Sequence, residues 1–155
     1  MLMNSQSPSG GASPVAPTEP QNHEVERCDR KRILVVEDEA AIRSLFQTIL
    51  SFGLPDREIE PVANGAEALA AFGRGHHAVL LMDLHMPVMD GQVAFTEIER
   101  LCRDRNWEMP AVVFCTGFAP PQTLLNVVGG GGRHTLMIKP VSSAALVHAI
   151  RSRLQ

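Results

Sequence analysis

Five polar residues in this chain each stand at the end of an apolar run: Glu37 and Asp38 after ILVV, Asp83 after VLLM, Thr116 after VVFC and Lys139 after LMI. Short continuous apolar runs read as strands buried on both faces of a parallel sheet. The carboxyl edge of such a sheet is where open α/β folds bind ligands, so these five side chains are expected to meet there. A single acid at a strand end is more often a structural cap, and Glu39 reads as the cap of the helix that follows it. Three converging acids are different, because like charges a few ångströms apart repel by up to about 4 kcal/mol per pair at an effective dielectric near 20. A divalent cation removes that repulsion, and hard oxygen donors suit Mg²⁺. A carboxylate held beside Mg²⁺, an ammonium and a hydroxyl can attack phosphorus and become an acyl phosphate. The chemistry these residues suggest is phosphoryl transfer onto the protein itself.

The elements that must position them follow from composition and periodicity. Residues 1 to 30 include SQSPSGGASPVAPTEPQ, rich in Ser, Pro, Gly and Ala without an apolar period. Such a stretch cannot bury enough to offset ordering entropy, so a flexible arm or linker is expected there and a single domain from 31 to 155. Beyond Lys31, strands and helices alternate. Ile33 to Val36 is a strand, and Ile42, Leu45, Phe46, Ile49 and Leu50 form a helical stripe closed by Gly53. Ile59 to Ala63 is a weak strand whose Pro61 marks a sheet edge. Asn64 and Glu67 resemble a capping pair for a helix ending near Gly73. Val79 to Met82 is the central strand, after which LHMPVMDG turns the chain and Asp90 caps a helix carrying Ala94, Ile98, Leu101 and Cys102 on one face. Ala111 to Phe114 is a fourth strand, Pro120 and Pro121 open a helix that stops at the glycines 129 to 132, Leu136 to Ile138 is a fifth strand and Ser143 to Leu154 a closing helix. Five βα units without internal repeats imply a parallel sheet covered on both faces.

Composition narrows the partners. The 155 residues carry a net charge of −3 with no basic stripe, so nucleic acid is not expected as a direct partner. Three widely spaced cysteines, Cys28, Cys102 and Cys115, without a CxxC argue against a disulfide framework or a zinc site and fit a reducing cytoplasm. Neither a signal peptide nor an apolar run of membrane-spanning length is present. His76 and His77, with no third ligand in view, read as surface histidines, Cys115 as a buried small residue, and Trp107 as a reporter before a loop.

Taken together, ILVVEDE, LLMDLHMPVMDG, VVFCTG and MIKP, in this order and at these spacings, resemble the receiver domain of two-component response regulators. The resemblance spans about residues 31 to 155. It implies a flavodoxin-like (βα)5 fold, a doubly wound parallel five-stranded sheet of order 2-1-3-4-5. It further implies Asp83 as phosphoacceptor, Glu37 and Asp38 as the acidic pair that binds Mg²⁺ together with Asp83 and the backbone carbonyl of His85, Thr116 as the switch hydroxyl and Lys139 as the cation that pairs with the phosphoryl group. The Lys139-Pro140 bond is expected to be cis, with Pro140 aiming the ammonium inward. The implied partners are a histidine kinase or histidine phosphotransfer protein upstream and a protein target downstream. The chain ends just past the last helix, so no output domain is expected after the receiver, and a stand-alone regulator or the terminal receiver of a hybrid histidine kinase both fit.

Departures from the family pattern carry their own expectations. Glu37 stands where Asp is commoner. Leu136, three residues before Lys139, replaces the Tyr or Phe that often rotates inward on activation, and the combination with FCTGF is similar to receivers whose fourth strand ends in Phe-x-Thr-Gly. The glycines 129 to 132 suggest a looser face around the fourth helix, fifth strand and fifth helix. Hydrolysis of an acyl phosphate needs a water in line with the breaking bond, and His85 and Phe118, each two residues past a site residue, would overhang that path. A ring at Phe118 would exclude water and slow dephosphorylation, whereas the imidazole of His85 could assist it; alternatively, Phe118 packs on the Pro120-Pro121 turn. Two other functions stay open. One is a receiver-like interaction module that never takes phosphate, which Leu136 keeps in view. The other is a phosphohydrolase with an Asp nucleophile, against which stand His85 at the place of its usual second Asp and the lack of a cap domain.

Overall fold

The computed structural model describes residues 10–17 and 24–155. Five βα units follow one another: β1 (Asp29–Val36), α1 (Ala40–Gly53), β2 (Glu58–Val62), α2 (Gly65–Gly75), β3 (His77–Met82), α3 (Gly91–Arg105), β4 (Ala111–Thr116), α4 (Gln122–Gly129), β5 (Thr135–Ile138) and α5 (Ser143–Ser152). All pairings are parallel and the strand order is β2-β1-β3-β4-β5, the doubly wound flavodoxin-like arrangement.

Alternation along the strands divides the core into two layers. Ile33, Val35, Val79, Leu81, Val113 and Cys115 face Phe46 and Leu50 of α1 and Leu146 and Ile150 of α5. Leu34, Val36, Leu80, Met82, Val112 and Phe114 face Phe72 of α2, Ile98 of α3 and Leu124 of α4. Both faces of β3 and β4 are therefore buried, which is why their sequences read as unbroken apolar runs. Pro61 lies in β2 at the edge of the sheet, where a missing N–H costs no ladder bond. The three cysteines are buried, and burial pushes Cys28 up to about 12 and Cys102 and Cys115 up to about 11, so none is a ready nucleophile.

Helix starts follow their expected chemistry with one exception. Asn64 accepts the Glu67 N–H at 2.9 Å while Glu67 accepts the Ala63 N–H at 2.6 Å, and Asp90 accepts the Val93 N–H at 2.9 Å. Glu39 occupies the N-cap of α1 but makes no side-chain capping bond. Its backbone N–H instead donates to the Glu37 carboxylate at 3.2 Å, so the capping acid comes from the site two residues earlier.

Regular structure starts before Lys31. β1 begins at Asp29, Cys28 is buried, and Glu26 bridges to Trp107. The extension is held by polar groups that an apolar-period reading passes over: Arg30 and the Cys28 N–H both reach Glu108, each at 2.9 Å. Residues 10–17 are exposed and have neither helix nor strand; the rest of the expected arm up to residue 23 lies outside the described residues.

The two adjacent histidines are not surface residues. His76 and His77 are both buried, because β3 starts at His77 in the middle of the sheet and draws both under the neighbouring layers. His76 stacks on Trp107 with ring centroids 4.1 Å apart and places Nε2 2.9 Å from the Glu108 carbonyl oxygen. His77 places Nε2 2.6 Å from a Glu60 carboxylate oxygen, yet burial still holds its pKa below the usual imidazole value. Trp107 is thus a packing element between α2, α3 and the chain before β1.

Candidate functional site: an acidic cluster at the carboxyl edge of the sheet

Strand register alone brings the expected residues together. Val36 pairs with Met82, so Glu37 and Asp83 leave adjacent strands side by side, and the Asp83 N–H continues the ladder to the Val36 carbonyl at 3.0 Å. On the other side, Thr116 pairs with Ile138, and the Lys139 N–H donates to the Thr116 carbonyl at 2.8 Å. Glu37 is 1 % exposed, Asp83 8 % and Thr116 fully buried, so the edge is a recess rather than a solvated rim.

Glu37, Asp38 and Asp83 each offer an oxygen, and the three oxygens lie within 4.8 Å of one another. Lys139 reaches across from β5, its Nζ 2.9 Å from Glu37 Oε2 and 3.3 Å from Asp83 Oδ2. Burial pushes Glu37 above the usual carboxylate range; the Lys139 ammonium pulls it back, and the Asp83 charge adds to the rise. Burial works against the Lys139 charge, but Glu37 and then Asp83 outweigh it and hold the ammonium above its ordinary value. One ammonium faces three acids, so the cluster keeps an excess of negative charge. Its donors are all hard oxygens at one recess, which is the donor set a small divalent cation takes. Among the described residues, no other group of three His, Cys, Asp or Glu donors comes this close together.

The Thr116 hydroxyl oxygen accepts the Phe118 N–H at 3.3 Å, which leaves its own proton free to donate. The His85 N–H lies 3.3 Å from Asp83 Oδ1, so the main chain of His85 borders the carboxylate. The His85 and Phe118 rings meet edge to face with centroids 4.9 Å apart, and Phe118 remains 66 % exposed. Phe118 thus leans on the imidazole of His85, two residues past Asp83. Lys139-Pro140 is cis, and Leu136 packs partly buried against the layer of α2, α3 and α4.

Two features at the site, Arg43 and Val88, were not singled out from sequence, and Gly91 was read there only as part of a turn. Arg43, on the first turns of α1, donates through Nη1 to the carbonyl oxygens of Glu37 at 2.8 Å and Asp38 at 3.3 Å. Val88 holds φ +71°, a left-handed conformation that a β-branched residue rarely adopts, and nothing in its residue type announces this. Gly91 is required by close approach: a Cβ there would collide with the Asp83 carbonyl oxygen, and the Gly91 N–H donates to the Leu84 carbonyl at 2.9 Å. The Asp-Gly pair after Met-Pro-Val-Met is the sequence signal for that approach.

Comparison with known proteins agrees with this architecture. The family model of the response regulator receiver domain matches residues 33–151, and the chain belongs to that family. It is 33 % identical over 124 residues to the regulatory protein AtoC of Escherichia coli K12, a match that covers 80 % of this chain and 25 % of AtoC. It is 34 % identical over 124 residues to the positive alginate biosynthesis regulatory protein of Pseudomonas aeruginosa, covering 77 % of this chain and 45 % of that one. The chain therefore spans less than half the length of these relatives. Among solved structures, a CheY-like receiver domain from Methanospirillum hungatei superposes with a TM-score of 0.64 at 26 % identity, covering 80 % of this chain and 93 % of that one. The receiver domain of the sensor histidine kinase PA1611 of Pseudomonas aeruginosa, solved with a magnesium ion coordinated in its active site cleft, shares the fold with a TM-score of 0.66 at 24 % identity, covering 80 % and 97 %. This chain is thus a receiver domain of two-component signalling, and among the described residues no helix is long and apolar enough to cross a membrane.

The Gly91 contact can be tested against a glycine with room to spare. Gly91→Ala should destabilise the fold by about 2 kcal/mol or more in a denaturant melt, because backbone must move. Gly129→Ala, at the end of α4 with open space around its Cβ position, should be neutral or stabilise by about 0.5 kcal/mol.

Proposed function

We propose that Asp83 is the phosphoacceptor of a phosphorelay, taking a phosphoryl group from a histidine kinase or histidine phosphotransfer protein and signalling by docking to a protein target. The observation that carries this reading is the convergence of three carboxylates and one ammonium on a single recess, with Lys139 in contact with both Glu37 and Asp83. Glu37, Asp38 and Asp83, with the backbone carbonyl of His85, are the groups that would hold Mg²⁺. Mg²⁺, when bound, supplies charge neutralisation at the transferring phosphoryl oxygens.

The chain's own residues do the rest. An Asp83 carboxylate oxygen attacks phosphorus, forming the P–O bond of the acyl phosphate while the donor's imidazole nitrogen departs. Lys139, already 3.3 Å from the Asp83 carboxylate, follows the new negative charge onto a phosphoryl oxygen. The Thr116 hydroxyl donates to a second oxygen, and that bond would draw the β4 end toward Asp83. With Leu136 in place of a switch aromatic, the signal leaves through the backbone at Thr116 and the exposed Phe118 rather than through a rotating ring on β5.

The test is intact-mass labelling with acetyl phosphate, a small phosphodonor. A gain of one phosphoryl group should require Mg²⁺ and vanish in Asp83→Asn. Labelling that survives chelator, or persists in the mutant, would overturn the assignment, and a wild type that never labels would favour a phosphorylation-independent docking module.

The His85–Phe118 ring pair adds a second expectation. Held against His85, the Phe118 ring would narrow water's approach to the acyl phosphate, and misplacing an in-line water by about 1 Å costs on the order of a hundredfold in rate. Phosphate release from labelled Phe118→Ala should be severalfold faster than from wild type; an unchanged rate rejects shielding, and a slower rate in His85→Ala would show that the imidazole assists the water.

A further inference from the structure

Arg43 is the one basic residue of α1, and it stands where a helix least favours it. Its position in the first turns places a cation near the positive end of the helix macrodipole, where acids are preferred. Something local must offset that placement, and the structure shows what: Nη1 donates to the carbonyl oxygens of both Glu37 and Asp38, at 2.8 and 3.3 Å.

The two acids depend on this support unequally. Glu37 is fixed at four atoms: its N–H donates to Val62 O at 3.1 Å, its carbonyl accepts from Arg43, Oε1 accepts the Glu39 N–H, and Oε2 meets Lys139. The Asp38 carboxylate accepts no hydrogen bond among the described residues, so its direction is set by its own peptide, whose carbonyl Arg43 holds. The chemistry of the choice is specific. A guanidinium that paired with the carboxylates would compete with a cation for them, as Lys139 does at Glu37 and Asp83. Arg43 grips the carbonyls instead and leaves the carboxylate oxygens of Asp38 free.

From this geometry we infer that Arg43 is a positioning residue for the cation site: by clamping the Glu37 and Asp38 carbonyls, it holds the Asp38 carboxylate where it can ligate a divalent cation together with Glu37 and Asp83. The inference rests on the reading of these three acids as a cation site. Its effect falls on metal affinity and not on the chemical step. Lysine cannot replace it fully, because its ammonium ends one bond short of Nη1 on a more flexible stem.

The experiment compares wild type, Arg43→Ala and Arg43→Lys by calorimetric titration with Mg²⁺, and by the rate of Asp83 labelling with acetyl phosphate across Mg²⁺ concentrations. Loss of a residue that orients a ligand typically costs tenfold or more in metal affinity, so Arg43→Ala should bind Mg²⁺ about tenfold more weakly, with Arg43→Lys between the two. At saturating Mg²⁺ the labelling rate of Arg43→Ala should return to the wild-type value, which a damaged fold would not do. Wild-type affinity in Arg43→Ala, or a labelling defect that saturating Mg²⁺ leaves in place, overturns the role of Arg43 while leaving the site intact. A wild type that binds no Mg²⁺ overturns the cation site itself and this inference with it. Should Arg43→Ala melt below the working temperature, Arg43→Gln, whose amide ends two bonds short of Nη1 and so releases the clamp while keeping a polar side chain, carries the same comparison with the same outcomes.

Discussion

The structure is organised around an electrostatic conflict. Glu37 and Asp83 are buried side by side with Asp38 at their flank, and a single ammonium answers three carboxylates. Desolvation and mutual repulsion both oppose this arrangement, and the upward push on Glu37 is its direct expression. No packing gain requires acids at these positions, since the apolar layers close beneath them at Val36 and Met82. A further positive charge in the recess would relieve the conflict, and the recess is lined with the oxygen donors that a hard cation takes.

Much of the fold serves to make that conflict unavoidable. Parallel register fixes Val36 opposite Met82 and Thr116 opposite Ile138, so residues one step beyond each strand must emerge together. β1 and β3 are interior strands and cannot slide without turning their apolar side chains to the wrong layer. Gly91 lets α3 start against the Asp83 carbonyl, and Arg43 ties α1 back to the carbonyls of the acidic pair. The helices are thus fastened to the loops that carry the acids, which links their placement to the state of the site.

The strands and their polar ends were legible in the sequence because both depend on short-range pattern: ILVV, VLLM, VVFC and LMI are continuous apolar runs, and each side chain after them falls on one edge by topology alone. Caps at Asn64 and Asp90 were legible for the same reason, being local hydrogen bonds between residues three apart. What sequence did not announce are contacts made by polar groups at long range. His76 and His77 look solvated until β3 is placed at the centre of the sheet. The contacts of Glu26 and Cys28 are made with Trp107 and Glu108, some eighty residues away. Arg43 resembles an ordinary surface arginine on a helix until the loop before it folds back beneath its guanidinium.

The central claim is that the acids are gathered at an energetic cost which a divalent cation relieves, and Asp38 tests it most directly because no hydrogen bond to its carboxylate confuses the outcome. The measurement is thermal unfolding of wild type and Asp38→Asn, each in chelator and in excess Mg²⁺. In chelator, Asp38→Asn should be the more stable by about 1 kcal/mol, roughly 4 °C, because one repelling charge is gone. In Mg²⁺ at a hundred times the dissociation constant, wild type should gain about 2.7 kcal/mol and the order should reverse. An Asp38→Asn variant less stable than wild type in chelator, or a wild type whose melting ignores Mg²⁺, would contradict the account.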